Sequence, residues 1–152
     1  MFQKDSFTSS TSSNSGKLYI FEEPRIDING KLVAFHVFTS KTGQVDLVVL
    51  RKVPSTENYI VKKHYPVYQS SIGQLRVPIA EPQRVDIVAD DVIGVYSSPS
   101  NDANVLYKEN DGRSVYEVPM RTLSNGQTIS GVTKWNTSAI PAIRLEIDTG
   151  NS

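Results

Sequence analysis

Polar and apolar residues alternate along this chain in short runs separated by turn residues. Residues 85–96 show the texture best. Val85 and Ile87 fall on one face of an extended segment, with Asp86 on the other. Val88-Ala89-Asp90-Asp91 makes a short polar step. Val92-Ile93-Gly94-Val95-Tyr96 then runs almost wholly apolar. Two β-rich runs about a tight acidic step predict consecutive strands feeding a buried sheet face.

The same texture predicts the other elements. Residues 17–21 form a first strand that stops near Pro24, and Asn29-Gly30 marks a turn because both residues tolerate positive φ. Residues 31–38 are apolar at most positions, which predicts a central strand covered on both sides. Residues 44–51 follow after Lys41-Thr42-Gly43, and the short glycine-containing connection predicts a hairpin between these two strands. Residues 59–65 alternate imperfectly, and Pro66 confines that strand to an edge or ends it, with Val67-Tyr68 as an extension. Leu75, Val77 and Ile79 alternate with polar residues, which predicts a half-buried strand with Arg76 facing water. Short strands are expected at residues 104–107 and 114–118, with a hairpin turn at Asn110-Asp111-Gly112 between them. Residues 120–135 are weakly patterned around the turn Asn125-Gly126. The chain then closes on a strand with Ile143, Leu145 and Ile147 on one face.

No window carries sustained helical periodicity. Strands and turns recur about every 8–12 residues, the spacing of a sandwich or jelly roll. The expected fold is therefore all-β: one antiparallel β-sandwich, jelly-roll-like, of about eight to ten strands over residues 17–149. Residues 1–16 include Thr-Ser-Ser-Thr-Ser-Ser-Asn-Ser-Gly, a composition that predicts a disordered segment or linker.

With 152 residues the chain suits one domain, large enough to bury roughly 68–70% of its unfolded surface without a disulfide or metal. It has no cysteine, so redox compartment leaves no trace. Sixteen basic residues balance sixteen acidic ones, which argues against a general nucleic-acid binder. No apolar run approaches the ~20 residues that span a bilayer, and the first six residues lack the apolar core of a signal peptide. The linker composition favours a domain belonging to a longer chain over an intracellular protein.

Val48-Val49-Leu50-Arg51, Tyr59-Ile60-Val61, Leu75-Arg76-Val77-Pro78-Ile79 and Asp91-Val92-Ile93-Gly94-Val95-Tyr96 occur in that order. This succession resembles an uncharacterised β-sandwich module of invertebrate secreted and cell-surface proteins, whose members carry a run ending in "GDvIGvy". The resemblance spans residues 17–107. It implies an extracellular, multidomain context and a non-catalytic role, and it supplies no functional residues. Two positions depart from the pattern: Asp90 stands where the module has glycine, and Leu50 where it has tryptophan. The turn must therefore accept aspartate where glycine is easier.

Candidate chemistry is sparse. His36 lies inside the most apolar strand and reads as a satisfied structural histidine. His64 follows Lys62-Lys63 and reads as solvent-facing. No nucleophile elbow surrounds any serine, so the chain is expected not to be an enzyme. Calcium takes six to eight oxygen ligands, and acidic turns supply them, which makes Asp90, Asp91 and Asp102 candidate calcium ligands; the same residues are also ordinary turn formers. Exposed aromatics can stack on sugar rings. Trp135, in a polar setting, is the first candidate, with Tyr59, Tyr65 and Tyr68 flanking the proline break; the competing reading is that such rings plug the ends of the sandwich. Asn136-Thr137-Ser138 is a glycosylation acceptor in a secreted chain.

These readings converge on a non-enzymatic extracellular interaction or adhesion module of a larger surface or matrix protein. Its partners would be protein or glycan, without nucleic acid and without direct membrane insertion. Residues 54–58, 97–102 and 125–136 would be the working loops. One rival is a carbohydrate-binding, lectin-like module, with or without calcium. The other is a structural, self-associating domain.

Overall fold

A computed structural model describes residues 8–9, 17–22, 26–39, 42–69, 71–97, 106–120 and 123–150. They form twelve strands: β1 (Thr8–Ser9), β2 (Lys17–Phe21), β3 (Gly30–Thr39), β4 (Gly43–Lys52), β5 (Tyr59–Gln69), β6 (Gly73–Pro78), β7 (Asp86–Ile87), β8 (Val92–Ser97), β9 (Leu106–Pro119), β10 (Thr128–Ile129), β11 (Thr133–Pro141) and β12 (Ile143–Asp148). One turn of 3-10 helix, Glu81–Gln83, precedes β7. The larger sheet runs β9-β2-β8-β4-β5-β10, with β1 and β11 also on β9. The smaller sheet runs β12-β3-β6, with β7 also on β3. All pairings are antiparallel. The expected sandwich is therefore present, with more strands than expected because β1, β7 and β10 are only two residues long.

Three connections differ from the expected pattern. β3 and β4 do not form a hairpin. β3 is central in the small sheet and β4 is central in the large one, so the two successive strands lie in different layers. Layers lie roughly 10 Å apart, a gap that three residues span as readily as they close a hairpin. The acidic step at residues 88–91 crosses in the same way, from β7 to β8. At Asn110-Asp111-Gly112 the chain does not turn back. β9 continues, but Ser138 and Ala139 of β11 face Ser114 and Glu109, so residues 110–113 leave the ladder as a bulge. Of the first sixteen residues, the described Thr8 and Ser9 pair with Tyr107 and Leu106.

The large sheet is buried on both faces. Tyr19, Phe21, Leu47, Val49, Ile93 and Val95 point inward and meet Leu32, Phe35, Val37, Ile87 and Ile143 of the small sheet. Their neighbours Leu18, Ile20, Val48, Leu50 and Tyr96 point the other way into a second core. In a two-layer sandwich that face would meet water. Here Met120 and residues 123–132 lie across it, contributing Ile129, Met120, Leu123 and Val132. Backbone bonds from Val61 N to Gln127 O and from Gly126 N to Val61 O fasten this cover to β5. Gly94 sits at the centre of the covered face, where a Cβ would lie 3.0 Å from Tyr19 O and 3.1 Å from Leu18 Cδ1 and Leu50 Cδ1.

Ile129 is fully enclosed in the second core, so Ile129→Ala lowers unfolding free energy by about 2–3 kcal/mol. The exposed neighbour Thr128→Ala changes it by less than about 0.5 kcal/mol. Urea denaturation of the two variants checks this; equal midpoints would show that the cover does not seal a core.

Candidate functional site

The turn between β7 and β8 sets the end of the sandwich where the candidate site lies. Asp91 N donates to Val88 O at 3.1 Å, closing a β-turn, and Asp90 takes φ 74°. This is a left-handed conformation that glycine adopts without strain and aspartate does not. Asp90 N donates to Ile26 O at 2.9 Å and Ala89 N to Asn29 Oδ1 at 3.0 Å, so the turn is held against the preceding loop.

Asp91 itself is buried and serves as an ionic knot. Its Oδ2 accepts Lys62 Nζ at 2.8 Å and Val88 N at 3.0 Å; its Oδ1 accepts Arg51 Nε at 3.2 Å. Lys62 Nζ also donates to Asp86 O at 2.5 Å. Lys62 can do this because β5 carries a bulge: Lys63 faces Val49 and Val61 faces Leu50, leaving Lys62 as the extra residue. A carboxylate so enclosed needs compensation, and two cations with a backbone amide provide it.

Beside this knot opens a cavity of about 200 Å³. Ile26 and Val92 give it apolar wall, while Glu22, Lys52, Tyr59, Asp90 and Asp91 bring polar atoms. Lys52 and Tyr59 flank the 53–58 loop, which contains the expected working loop 54–58. The Tyr59 ring is packed into the second core, and burial pushes its phenol up to about 12, with Tyr116, Glu22 and Glu57 adding to the effect. Among the described residues, the side chains of Glu22, Lys52 and Asp90 make no hydrogen bond or ion pair. Asp91 differs, since its oxygens are taken by Lys62, Arg51 and Val88.

The structure thus brings together Tyr59, Asp90 and Asp91, which the sequence had assigned to two different ligand types. Tyr65 is elsewhere, buried between the sheets with its hydroxyl donating to Gln83 O at 2.7 Å and its phenol pushed up to about 12 by burial. Tyr68 is 62% exposed at the end of β5. Trp135 lies on β11, and its side chain falls outside the described residues, as does Asp102. No cluster of three or more His, Cys, Asp or Glu side chains that could hold a metal ion occurs among the described residues.

Two further polar clusters escape a reading based on spacing. His64 does not face solvent as expected. On the cover side of the large sheet its Nε2 lies 3.5 Å from Oδ2 of buried Asp46, and its ring meets Tyr96 edge-on. Gln44 Nε2 donates to Asp46 Oδ1 at 2.6 Å. The same patch ties down the cover, for His64 N donates to Asn125 Oδ1 at 3.0 Å and Tyr96 OH to Met120 O at 3.1 Å. His36 is satisfied, as its strand suggested, but on the outer face of the small sheet. It stands between Arg76 and Arg144 in register. Its Nε2 lies 2.5 Å from Glu146 Oε2, a contact that requires the proton on Nε2; Arg144 Nη2, 3.0 Å from the same nitrogen, is then a neighbour and not a donor to it. Arg76 holds Glu146 with two bonds of 2.7 and 3.0 Å.

Comparison with known protein families, with curated proteins and with solved structures gives no match.

Replacing Asp90 by glycine removes the left-handed strain and raises stability by about 0.5–1 kcal/mol, read as a higher urea midpoint; an unchanged or lower midpoint would show that the aspartate side chain stabilises the turn. Arg76, and after it His36, hold the Glu146 carboxyl down at about 2, below its ordinary value. A depressed folded-state value adds stability above the unfolded-state value of 4.5 that is lost as pH falls toward 2. The stability gap between the native chain and Glu146→Gln is therefore full at neutral pH and closes across that window, which denaturation at a series of pH values measures.

Proposed function

We propose that this domain is a non-enzymatic interaction module of a larger extracellular or cell-surface protein, and that it grips its protein partner at the end cavity beside the 53–58 loop. One observation carries this reading. Three of the polar side chains lining that cavity are uncommitted: Glu22, Lys52 and Asp90 make no hydrogen bond or ion pair among the described residues. Glu22 is half-buried and Lys52 and Asp90 are exposed, so two unpaired carboxylates and a free ammonium stand beside an apolar wall, open to a ligand that completes them. The site rests on a rigid base. The Asp91 knot fixes the turn below it, and strand ends of the large sheet supply Lys52, Tyr59 and Val92.

The exposed ring of Tyr68 supports a second reading, a lectin-like module that stacks a sugar on that face. One adhesion assay separates the two. Beads coated with the chain are bound to cells before and after enzymatic deglycosylation of the cells. The protein-partner reading expects binding that survives deglycosylation, falls about tenfold or more in Glu22→Ala and Asp90→Asn, and is unchanged in Tyr68→Ala. Binding that vanishes with the glycans and with Tyr68→Ala, while Glu22→Ala and Asp90→Asn keep it, would overturn it in favour of the lectin.

A further inference from the structure

The sandwich is open along one side. Tyr59 and Ile60 pair with β10, and Val61 and His64 are bonded by residues 125–127; beyond them no described strand lies on the far edge of β5. β6 is likewise the edge of the small sheet. Between these edges lies a slot of about 280 Å³ above the fully buried ring of Phe35. Its walls are Tyr65 and Val67 from β5 and Val77 and Ile79 from the opposite layer. Pro66 and Pro78 flank it, and neither has an N–H for a ladder.

Two cations stand beside the slot, bonded to residues that line it. Lys63 Nζ donates to Gln83 Oε1 at 2.9 Å, and Arg84 Nε donates to Ile79 O at 3.0 Å. Both partners are neutral and both belong to the slot. Neither cation makes an ion pair among the described residues, and Glu81 in the adjoining 3-10 turn pairs with neither. An apolar slot beneath two uncompensated cations selects an amphiphile with an apolar tail and an anionic head. Its volume lies just under the ~300 Å³ of the smallest ordinary ligand sites, which suits one unbranched chain and not a ring system.

We infer that this slot binds a medium-chain fatty carboxylate, with the alkyl chain between the sheets and the carboxylate on Lys63 and Arg84. The site is separate from the end cavity and does not depend on the role proposed for it.

Sodium decanoate, kept below its critical micelle concentration, tests this by isothermal titration calorimetry. A saturable heat for one site is expected. Ala80→Trp, at the exposed rim, closes the mouth and lowers affinity at least about tenfold. Val77→Trp fills the slot and does the same; because Val77 is partly buried, Ala80→Trp, judged by an unchanged melting temperature, keeps the test sound should Val77→Trp fail to fold. The double variant Lys63→Gln/Arg84→Gln weakens decanoate about tenfold and leaves decanol unchanged, as expected for charge-assisted bonds to the head. No saturable heat, or full affinity in Ala80→Trp, would overturn the site. Equal affinity of the native chain for decanoate and decanol would overturn the carboxylate role of Lys63 and Arg84.

Discussion

A strand that is apolar on both faces must be covered on both faces. β4 imposes that condition here: Leu47 and Val49 enter one core, Val48 and Leu50 the other. Two sheets satisfy only half of it. The outer half is met by Met120 and residues 123–132, which carry little regular structure, and much of the rest follows. Tyr96 and His64 are oriented by their bonds to that cover. Gly94 is fixed because the packed face leaves no room for a Cβ. Burial of this kind contributes about 1.5–3 kcal/mol per large apolar side chain, so the second core is a major share of stability and not an ornament.

Against that apolar frame, the Asp91 knot connects the layers. It ties Arg51 at the end of β4 to Lys62 at the bulge of β5, and through Lys62 reaches the backbone of β7 in the small sheet. An enclosed ion pair is weak evidence for stability, but it fixes geometry, since leaving one partner unmatched costs about 3–5 kcal/mol. That geometry places a turn of defined shape beneath the end cavity. The residues that hold the fold there, Asp91, Lys62 and Arg51, are distinct from those left free to meet a ligand, Glu22, Lys52 and Asp90.

Period-two patterning made most strands legible, and with them the sandwich. β6 alternates in burial as its sequence does, Ile143, Leu145 and Ile147 of β12 all pack against the main core, and Pro66 does mark an edge. Pairing was less legible, because a short polar connection serves equally for a hairpin and for a crossing between layers; only the burial of both partners decides, as between β3 and β4. The cover was missed because Met120, Leu123, Ile129 and Val132 each fill a separate gap and follow no period. Its trace was in its target: the unbroken Leu47-Val48-Val49-Leu50 asks for two coats. The left-handed turn was legible at Asp90 from the glycine expected there. The free side chains of the end cavity were not, because Glu22, Lys52 and Asp90 are far apart in sequence and each is an ordinary surface residue alone.

The open side of the molecule shows one set of residues with two consequences. Exposed edges invite strand addition, and proteins blunt them with proline and lysine. β5 carries Lys62, Lys63 and Pro66 along its edge, and β6 carries Arg76 and ends on Pro78. These residues deny a ladder to another chain. They also prevent β5 and β6 from sealing to each other, because prolines donate no hydrogen bond and the lysines are drawn to Asp91 and Gln83. An edge protected in this way leaves the space between the sheets unsealed and puts cations at its mouth. Protection against aggregation and the slot between the edges thus arise here from the same side chains, and a substitution that closed the slot by pairing the edges would restore the sticky edge that the prolines remove.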